Sequence, residues 1–597
     1  MVDLTRWNFD VQADVAPFAN VLLLLGSTLA LYKLSGRILR NYVLIPKVTI
    51  LEDIPNLHLP RSDKIRARVV ICGGSIAGLL AAAVCADHFE SVTVIESEAW
   101  AKEHGTELPK IEDRVYRTTA SGYQTVAAPR TRVMQYYFGN HLQPPVFLVF
   151  SRLFPDLRNL LDRLGLTNAI IVAKMKMGYG GIYLKDPHLT DDITSGVPLM
   201  LNLTREGTEV VLRKAVMETR SNVTFKSGTV SGFLGDEGFL SGVTVKVGDT
   251  EERELADFVI DATGPAQMSY SKWLRAAGFQ IPSDLRVEYD PIQRYTTCIW
   301  TIPPHLQSEW PVPGGFKPGL VWTMSGDFEL GDPRAIGFAL KERNQLFVNL
   351  GGAAVPSLVH SMAELRSYTQ SLRVANSVPD WIWQLYDFLE DYEEELKPFW
   401  VDARVPPMNW VQWHKITGKN TVLPRNWLPV GDTTMILNPI YGHGVFKACV
   451  DVTTLDSVLR STSSASWKGS HLPTMFFKRQ LPRIRSLWEI SRANDYGWPT
   501  TIPVAGEALT HHAWLRKYVR SCIRIARDDP AVRSAWWYGL MLLAPGTDLF
   551  SPAIAVKKDR SWKGICTAAI GWTFNAGSTV NFGLDDVLNG DRRELYK

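Results

Sequence analysis

The sequence predicts a mixed α/β fold with a parallel sheet, and three strand-then-glycine segments predict it. Residues 68–72 form a short β-branched run that is followed by a glycine-rich turn, an alanine-rich helix and a second strand over 91–96. Apolar strands also precede a Thr-Gly turn at 258–264 and a Gly-Asp turn at 428–432. Continuous apolar runs are typical of strands that are buried on both faces of a parallel sheet. We therefore expect a Rossmann-like domain that is assembled from distant parts of the chain.

The length of 597 residues is too great for one hydrophobic core, so we expect several domains. Strand-like runs between 291 and 404 predict a sheet domain, inserted into the Rossmann-like domain, that binds the substrate. A helical pattern begins at about residue 466. The predicted units are an N-terminal anchor and flank (1–50), the first part of the cofactor domain (66–290), the inserted sheet domain (291–404), the second part of the cofactor domain (405–465) and a C-terminal helical region (466–597).

Charge and cysteine content exclude several classes of function. The net charge is only +3, whereas a nucleic-acid partner normally requires a concentrated basic surface. The six cysteines are scattered, without CxxC or zinc-type spacing. We expect reduced thiols, no metal site and no binding of nucleic acid.

The N-terminal segment over 16–32 contains 17 residues without a charge. This is the short end of the range that spans a bilayer. Acidic residues precede it and basic residues follow it, which places the body of the protein in the cytosol. We expect a single-pass anchor, in the endoplasmic reticulum, with a short amphipathic or buried helix as the alternative. The flanking charges are Asp3, Asp10, Asp14, Lys33, Arg37 and Arg40.

The turn that follows the first strand has the pattern of a dinucleotide site. Gly73 and Gly74 leave the strand, Ser75 is small where a diphosphate nears the backbone, and Gly78 lies where helix meets strand. A diphosphate at such a helix N-terminus is stabilised by free N–H groups and by the helix dipole. Glu96 closes the second strand, where an acid accepts hydrogen bonds from ribose hydroxyls. This motif does not distinguish FAD from NAD.

Two later motifs favour FAD. The strand over 258–261 ends in a small-residue turn that brings backbone close to a nucleotide, and the strand before Gly431 is followed by an acid for the ribityl hydroxyls. The loop over 439–444 leads into a helix whose N-terminus can stabilise negative charge on a reduced flavin. These motifs assign Asp261, Gly264, Gly431, Asp432, Gly442 and Gly444 to the cofactor, and Pro439, Tyr441 and His443 as candidates that line the flavin.

Together, these residues resemble the FAD-dependent monooxygenases of the p-hydroxybenzoate hydroxylase class, which includes squalene epoxidase, geranylgeranyl reductases and flavin-dependent halogenases. The resemblance covers about residues 66–465. It implies that Arg132, in the sequence Ala-Pro-Arg-Thr-Arg, contacts FAD, and that Arg205 is a second arginine near the cofactor. In the predicted substrate sheet, the candidate site residues are Tyr295 and Trp300.

The resemblance also implies a reaction. Reduced flavin and molecular oxygen would form a C4a-hydroperoxide, whose distal oxygen is transferred to a lipophilic substrate such as a terpenoid, a prenylated aromatic or a polyketide in secondary metabolism. NADPH or NADH is the implied reductant, although the D-G motif that binds it in many relatives is absent, which leaves an external reductase as an alternative. A flavin-dependent reductase or oxidase of isoprenoids, a halogenase and a non-catalytic flavin-binding scaffold are the competing hypotheses. The aromatic run over 534–543 predicts a helix that lies on lipid or packs on the protein.

Overall fold

The computed structural model describes residues 24, 26–28, 30–98, 105–133, 135–166, 168–173, 176–179, 182–184, 198–264, 269–317, 319–327, 330–417, 422–465 and 467–558. Within them, the predicted mixed α/β architecture is confirmed. A parallel sheet and a larger, mainly antiparallel sheet form its two centres. A group of helices follows in the C-terminal part of the chain.

The parallel sheet has five strands that come from widely separated parts of the sequence. Every neighbouring pair in it runs parallel, and the first strand is central. The valine and isoleucine residues of the central strands are fully buried, because the helix Ile76–His88 packs on one face of the sheet and a small antiparallel sheet, residues 229–255, packs on the other. In order across the sheet, the strands are Trp427–Pro429, Phe258–Asp261, Ile65–Cys72, Phe89–Glu96 and Val223–Ser227.

Helices at this sheet start at the carboxyl ends of its strands. Ile76–His88 follows the first strand after a short turn, and twelve of its thirteen residues are buried. It lies between Arg205–Thr219 and His443–Arg460, which pack against it. Its alanines and glycine allow this close approach, because small side chains bring helix backbones together. The carboxyl edge of the sheet therefore carries three helix N-termini.

The larger sheet has seven strands and is antiparallel except where Val321–Ser325 pairs with Lys176–Tyr179. The two strands at one edge come from residues 176–184, so this sheet also uses a segment outside the predicted insertion at 291–404. One face packs on Met362–Gln370 and Asp380–Asp391, and the other faces the cofactor domain. In order, its strands are Phe399–Arg404, Gln293–Thr301, Gln345–Ala353, Arg334–Leu340, Val321–Ser325, Lys176–Tyr179 and Ile182–Leu184.

Smaller sheets and further helices complete the described part of the chain. The smaller sheets pair Thr229–Asp236, Phe239–Val247 and Thr250–Leu255; Arg286–Tyr289, Met408–Val411 and Met435–Ile436; Tyr116–Thr118 and Gln124–Val126; and Ile170–Val172 and Leu199–Leu201. The remaining helices include Ile45–Val48, Pro144–Leu153, Leu157–Arg163, Ser269–Ala276, Glu393–Leu396, Leu472–Asp495, Ala513–Ala526, Pro530–Leu540 and Pro552–Lys558.

The N-terminal segment is described only in part. Most of the predicted anchor over 16–32 lies outside the described residues, and no helix within them is long and apolar enough to cross a membrane. The membrane anchor over 16–32 stays a prediction. Residues 51–65, which lie between the first two predicted units, bury Leu51, Ile54 and Leu57 in the core. The segment is polar in its average composition. Its three apolar side chains are nevertheless three residues apart, so that one face of the segment packs inward.

The C-terminal helix Pro530–Leu540 packs on the protein and buries both of its tryptophans. Trp536 and Trp537, in the run that predicts either a lipid-facing or a packing helix, are both buried. The Trp536 ring meets the Tyr179 ring edge-on at 5.6 Å between centroids. At the other end of the chain, Arg40 donates to Asp548 in a buried ion pair with a closest N–O distance of 2.7 Å. This pair joins the N-terminal helix to the C-terminal region.

Candidate cofactor site

The glycine turn after the first strand leaves no room for side chains. Gly73 has φ +110°, and a Cβ there would lie 2.5 Å from the carbonyl oxygen of Ala262. A Cβ on Gly78 would lie 1.9 Å from the carbonyl oxygen of Gly73. The turn therefore requires glycine at both positions, as close contact between strand, helix and a bound diphosphate requires.

Glu96 closes the turn from the neighbouring strand. Its Oε2 atom accepts the backbone N–H of Gly74 at 3.0 Å, and its Oε1 atom accepts that of Ser97 at 2.8 Å. The side chain is buried at the carboxyl end of its strand. This is the place that the sequence assigns to the ribose-binding acid.

Arg130, rather than Arg132, is the buried arginine of the Ala-Pro-Arg-Thr-Arg segment. Its guanidinium donates to three carboxylates, those of Glu96, Glu98 and Glu209. The Arg132 side chain is exposed, and only its backbone N–H contacts the group, at 3.1 Å from Glu98 Oε1. The burial of Arg130 was not predicted, because only the local backbone decides which of two nearby arginines points inward. The contact of Arg132 with FAD stays a prediction.

Arg205 lies where the sequence places it, beside the glycine turn. It donates to the Ser75 hydroxyl at 2.7 Å and to Glu209 at 2.8 Å. The Ser75 hydroxyl in turn donates to Glu209, also at 2.7 Å. Burial would raise the pKa of Glu209, but the guanidiniums of Arg205 and Arg130 hold it below its ordinary value. Glu209 was missed by sequence reasoning, although its position four residues after Arg205 on one helix was a usable signal.

The second and third motifs meet the turn at the edge of the sheet. Asp261 is fully buried, and Thr263 donates to its Oδ1 atom from both the backbone and the hydroxyl. Burial raises the pKa of Asp261 to about 6. The N–H of Gly264 donates to the Thr433 hydroxyl at 2.9 Å. Gly431 has φ +66°, and a Cβ on it would lie 2.7 Å from Ala77. The three motifs therefore share one crevice at the carboxyl ends of the strands.

Asp432 carries the exposed carboxylate of this crevice. Its side chain is 55% exposed, and Lys447 donates to it at 2.7 Å from a nearly fully buried position. Behind it, Asp451 accepts the N–H of Gly431 at 2.7 Å and the Gln480 amide at 2.6 Å. Burial raises the pKa of Asp451 to about 6, against the opposing charge of Lys447. Asp432 is thus oriented by a buried lysine, with one face open to a hydroxylated ligand.

The flavin loop, residues 438–444, ends in the first two residues of the helix His443–Arg460. Pro439–Tyr441 forms a single 3-10 turn, and Gly442 then adopts φ +67° as the N-cap. A Cβ on Gly442 would lie 3.0 Å from both Gln143 and His141, whereas Gly444 has open space around it. Burial lowers the pKa of His443 to about 4, so its imidazole is neutral at neutral pH.

Buried polar atoms without partners gather around this loop. Among the described residues, both amide atoms of Asn140, Nε2 of His141, Oε1 of Gln143 and Nδ1 of His443 make no hydrogen bond. Lys341 donates to the Asn140 carbonyl at 2.9 Å. Buried polar groups are normally paired, so a cluster of this kind indicates a missing polar ligand. The donors and acceptors suit the pyrimidine edge of a flavin, and the residues present therefore fit FAD.

A cleft of about 310 Å³ opens on the cofactor-facing side of the large sheet. Its aromatic wall continues through Phe138 to Tyr295, whose rings are 4.7 Å apart. Asp402 at its rim accepts from Tyr123 and from His360, each at 2.8 Å. Trp300 is fully buried on the opposite, helix-facing side, so it does not line the cleft. The lining residues are Thr119, Tyr123, Thr125, Val126, Ala128, Tyr136, Tyr137, Phe138, Val401 and Asp402.

A separate group of potential metal ligands lies in the C-terminal region. Glu489, His511 and His512 bring ligand atoms within 4.8 Å of one another. The guanidinium of Arg492 donates to Glu489 and contacts His511 at 3.0 Å. An arginine thus already supplies the positive charge at this place, and we assign no metal to it.

Comparisons with solved structures return a flavin-dependent halogenase, a protein in complex with FAD and an oxygenase. The halogenase CmlS, which is flavin-dependent, is 15% identical over 78% of this chain and 74% of its own, with a TM-score of 0.43. CtdE, solved in complex with FAD, is 12% identical over 76% of this chain and 98% of its own, with a TM-score of 0.44. The 2-methyl-3-hydroxypyridine-5-carboxylic acid oxygenase is 16% identical over 83% of this chain and 96% of its own, with a TM-score of 0.40.

No protein-family model and no curated protein sequence matches the chain. At these identities and TM-scores, the structural likeness assigns neither a family nor an activity. The glycine turn, the carboxylate and arginine cluster and the orphaned polar atoms are the observations from which a function can be inferred.

Proposed function

We propose that this protein is an FAD-dependent monooxygenase that acts on a lipophilic substrate. The observation that carries the proposal is the convergence of three distant motifs on one crevice, in which Gly73 and Gly78 cannot carry a side chain. Ligands of α/β sheets bind in such crevices at the carboxyl ends of the strands. The flavin-dependent halogenases and oxygenases among the structural neighbours are compatible with this proposal.

Each part of the crevice has a role in binding the cofactor. The N-terminus of Ile76–His88 receives the diphosphate, Glu96 accepts from the ribose, and Asp432 accepts from the ribityl hydroxyls. The N-terminus of the helix that begins at His443 stabilises negative charge at the pyrimidine edge. When bound, FAD supplies the redox chemistry with molecular oxygen, while the protein orients both reactants and excludes water.

The cleft beside the large sheet is the proposed substrate site. Tyr136, Tyr137 and Phe138 give it an aromatic wall, which suits a lipophilic molecule, and Asp402 provides one polar contact at the rim. We include NADPH or NADH as the reductant in the proposal. A separate reductase would replace direct reduction if the nicotinamide does not bind.

The function is tested by spectroscopy of the full chain purified in mild detergent. A flavin spectrum that bleaches with NADPH without air, and returns when oxygen is admitted, is the expected result. Incorporation of labelled oxygen into a lipophilic alkene would then identify a monooxygenase rather than a reductase or oxidase. The absence of bound flavin even after reconstitution would overturn the proposal.

Two arginines that the sequence assigns to FAD are expected to differ in their effect on affinity. Arg205→Ala removes a guanidinium that reaches Ser75 at the diphosphate turn, so we expect the Kd for FAD to rise at least about tenfold, or about 1.4 kcal/mol. Arg132→Ala removes an exposed side chain and serves as the matched control, with a change below about threefold. Equal losses in the two variants would show that Arg132 also contacts the cofactor.

We also propose that the N-terminal helix contacts a lipid surface in the membrane of the endoplasmic reticulum. Leu31, Leu34, Ile38 and Tyr42 recur three or four residues apart, and all are at least half exposed. Lys33 and Arg37 lie in the same helix. An exposed apolar stripe beside basic side chains is typical of helices that bind anionic membranes.

Substitution in this stripe is expected to weaken binding to phosphatidylserine-containing vesicles. Leu34→Glu combined with Ile38→Glu should reduce the partition coefficient at least about tenfold. Burying one such apolar side chain in the lipid contributes about 1.5–3 kcal/mol of binding free energy, and each substitution removes that contribution. Leu330→Glu, a change of a similarly exposed leucine elsewhere, is the control and should partition like the wild type. Flotation of the full chain measures the effect. Unchanged flotation of the double variant would contradict this contact.

A further inference from the structure

A buried carboxylate from the C-terminal region reaches the flavin loop. Asp495 is the last residue of the helix Leu472–Asp495 and is almost fully buried. Its Oδ1 atom accepts from the Tyr441 hydroxyl at 2.9 Å and from the Asn438 amide at 3.0 Å. Its Oδ2 atom accepts from the Tyr289 hydroxyl at 2.8 Å. Three donors from two other elements thus converge on one side chain.

Two of these donors lie at either end of the turn that faces the proposed flavin. Asn438 precedes the turn and also accepts the N–H of Ile440 at 3.1 Å, which closes it. Tyr441 ends the turn, and its carbonyl accepts from Gln143 at 3.2 Å. Asp495 therefore holds both ends of a turn that is one residue away from the αL cap at Gly442.

We propose that Asp495 is the positioning residue of the flavin loop, through which the C-terminal helical region completes the cofactor site and makes FAD affinity depend on pH. The proposal deepens the proposed function and rests on it. Asp495 acts through Asn438 and Tyr441, which set the backbone of the loop.

The environment of the carboxylate determines its charge. Burial raises the pKa of Asp495 to about 7, while the hydrogen bonds from Tyr289, Tyr441 and Asn438 favour its ionised form. Ser491 on the same helix contacts the Tyr289 hydroxyl at 3.2 Å. The charged and titratable groups that face this region from other elements include Tyr179, from the edge of the large sheet, and Arg520, from Ala513–Ala526.

The direction of the pH effect follows from the hydrogen bonds. An ionised carboxylate only accepts, and its two oxygens can take all three donors. A protonated one must donate its own hydrogen to a tyrosine hydroxyl, which then has to turn round and accept, and the bonds from Asn438 and the other tyrosine lose the strengthening effect of the negative charge. The loop is consequently held best above about pH 7. FAD is expected to bind several-fold more tightly at about pH 8 than at about pH 6.

The experiment is a titration of the full chain, stripped of flavin, with FAD itself at these two pH values. Quenching of flavin fluorescence gives Kd. Asp495→Asn is expected to weaken binding at least about tenfold at the higher pH and to remove the pH dependence. Asp548→Asn changes another buried aspartate of the C-terminal region, which pairs with Arg40, and should keep the wild-type pH dependence.

The possible outcomes separate this proposal from the proposed function. A wild type that binds no FAD overturns the proposed function itself. A wild type that binds FAD, together with an Asp495→Asn variant of the same affinity and pH dependence, overturns the positioning role alone. If Asp495→Asn does not fold, Tyr441→Phe removes one donor while leaving the carboxylate. It should then weaken FAD binding chiefly at the higher pH, and an unchanged titration would overturn the role.

Discussion

Replacing Gly78 by alanine is expected to abolish FAD binding and to lower the free energy of unfolding by about 3 kcal/mol or more. The added Cβ would lie 1.9 Å from the carbonyl oxygen of Gly73, so helix and turn must separate. Backbone, unlike a flexible side chain, cannot rotate away from the contact. Because the same turn presents its N–H groups to the diphosphate, the separation also displaces the binding groups.

Gly469→Ala is the matched control for Gly78→Ala, since a Cβ at Gly469 meets no atom within 4 Å. Its urea denaturation midpoint and its Kd for FAD should stay close to the wild-type values. Wild-type affinity in Gly78→Ala would show that the turn does not contact the cofactor.

Replacing Glu209 by glutamine is expected to cost about 3–5 kcal/mol of unfolding free energy in the flavin-free protein. Glu209 is fully buried between Arg130 and Arg205, and its loss leaves these guanidiniums with less compensating charge. We expect FAD to restore part of the loss, because its diphosphate would supply negative charge beside Arg205 and Ser75. Thermal or urea unfolding with and without FAD measures both effects.

The pH dependence of stability gives a second test of Glu209. Its folded pKa lies below the ordinary value, so its contribution is present above about pH 4.3 and is lost as pH falls through the folded value. Glu209→Gln should therefore lose more stability at neutral pH than in acid. Glu218→Gln, in an exposed pair with Arg163, is the control and should cost less than about 1 kcal/mol. Equal costs for the two variants would argue against a buried charge cluster.

Sequence patterns predicted those strands and helices whose signal lies within the element itself. The bounds of Phe258–Asp261 agree with the predicted strand, because an apolar run is a local signal. The burial of Leu51, Ile54 and Leu57 was not predicted, since it depends on contacts with distant parts of the chain. Asp53, for example, pairs with Arg483 far along the chain.

The candidate site was predictable as a set of motifs but not as a set of contacts. Glycines at 73, 78 and 431 carry a steric signal that the sequence displays, and the structure places them together. The burial of Arg130 and the exposure of Arg132 depend on which way the backbone turns. The hydrogen bond between Asp495 and the flavin loop was not predictable, because no local motif indicates that the end of this helix reaches the loop.

The ion pair between Arg40 and Asp548 has a consequence for the order in which the chain acquires its structure. Its partners are separated by 508 positions, and the parallel sheet likewise receives Trp427–Pro429 long after its neighbour Phe258–Asp261. Contacts of such long range form slowly, because the intervening loop must first be closed. During synthesis, the edge of the strand Phe258–Asp261 that later pairs with Trp427–Pro429 therefore stays unpaired until more than 150 further residues have been made. We expect the flavin crevice to form only late in synthesis, and this edge is open to aggregation until then.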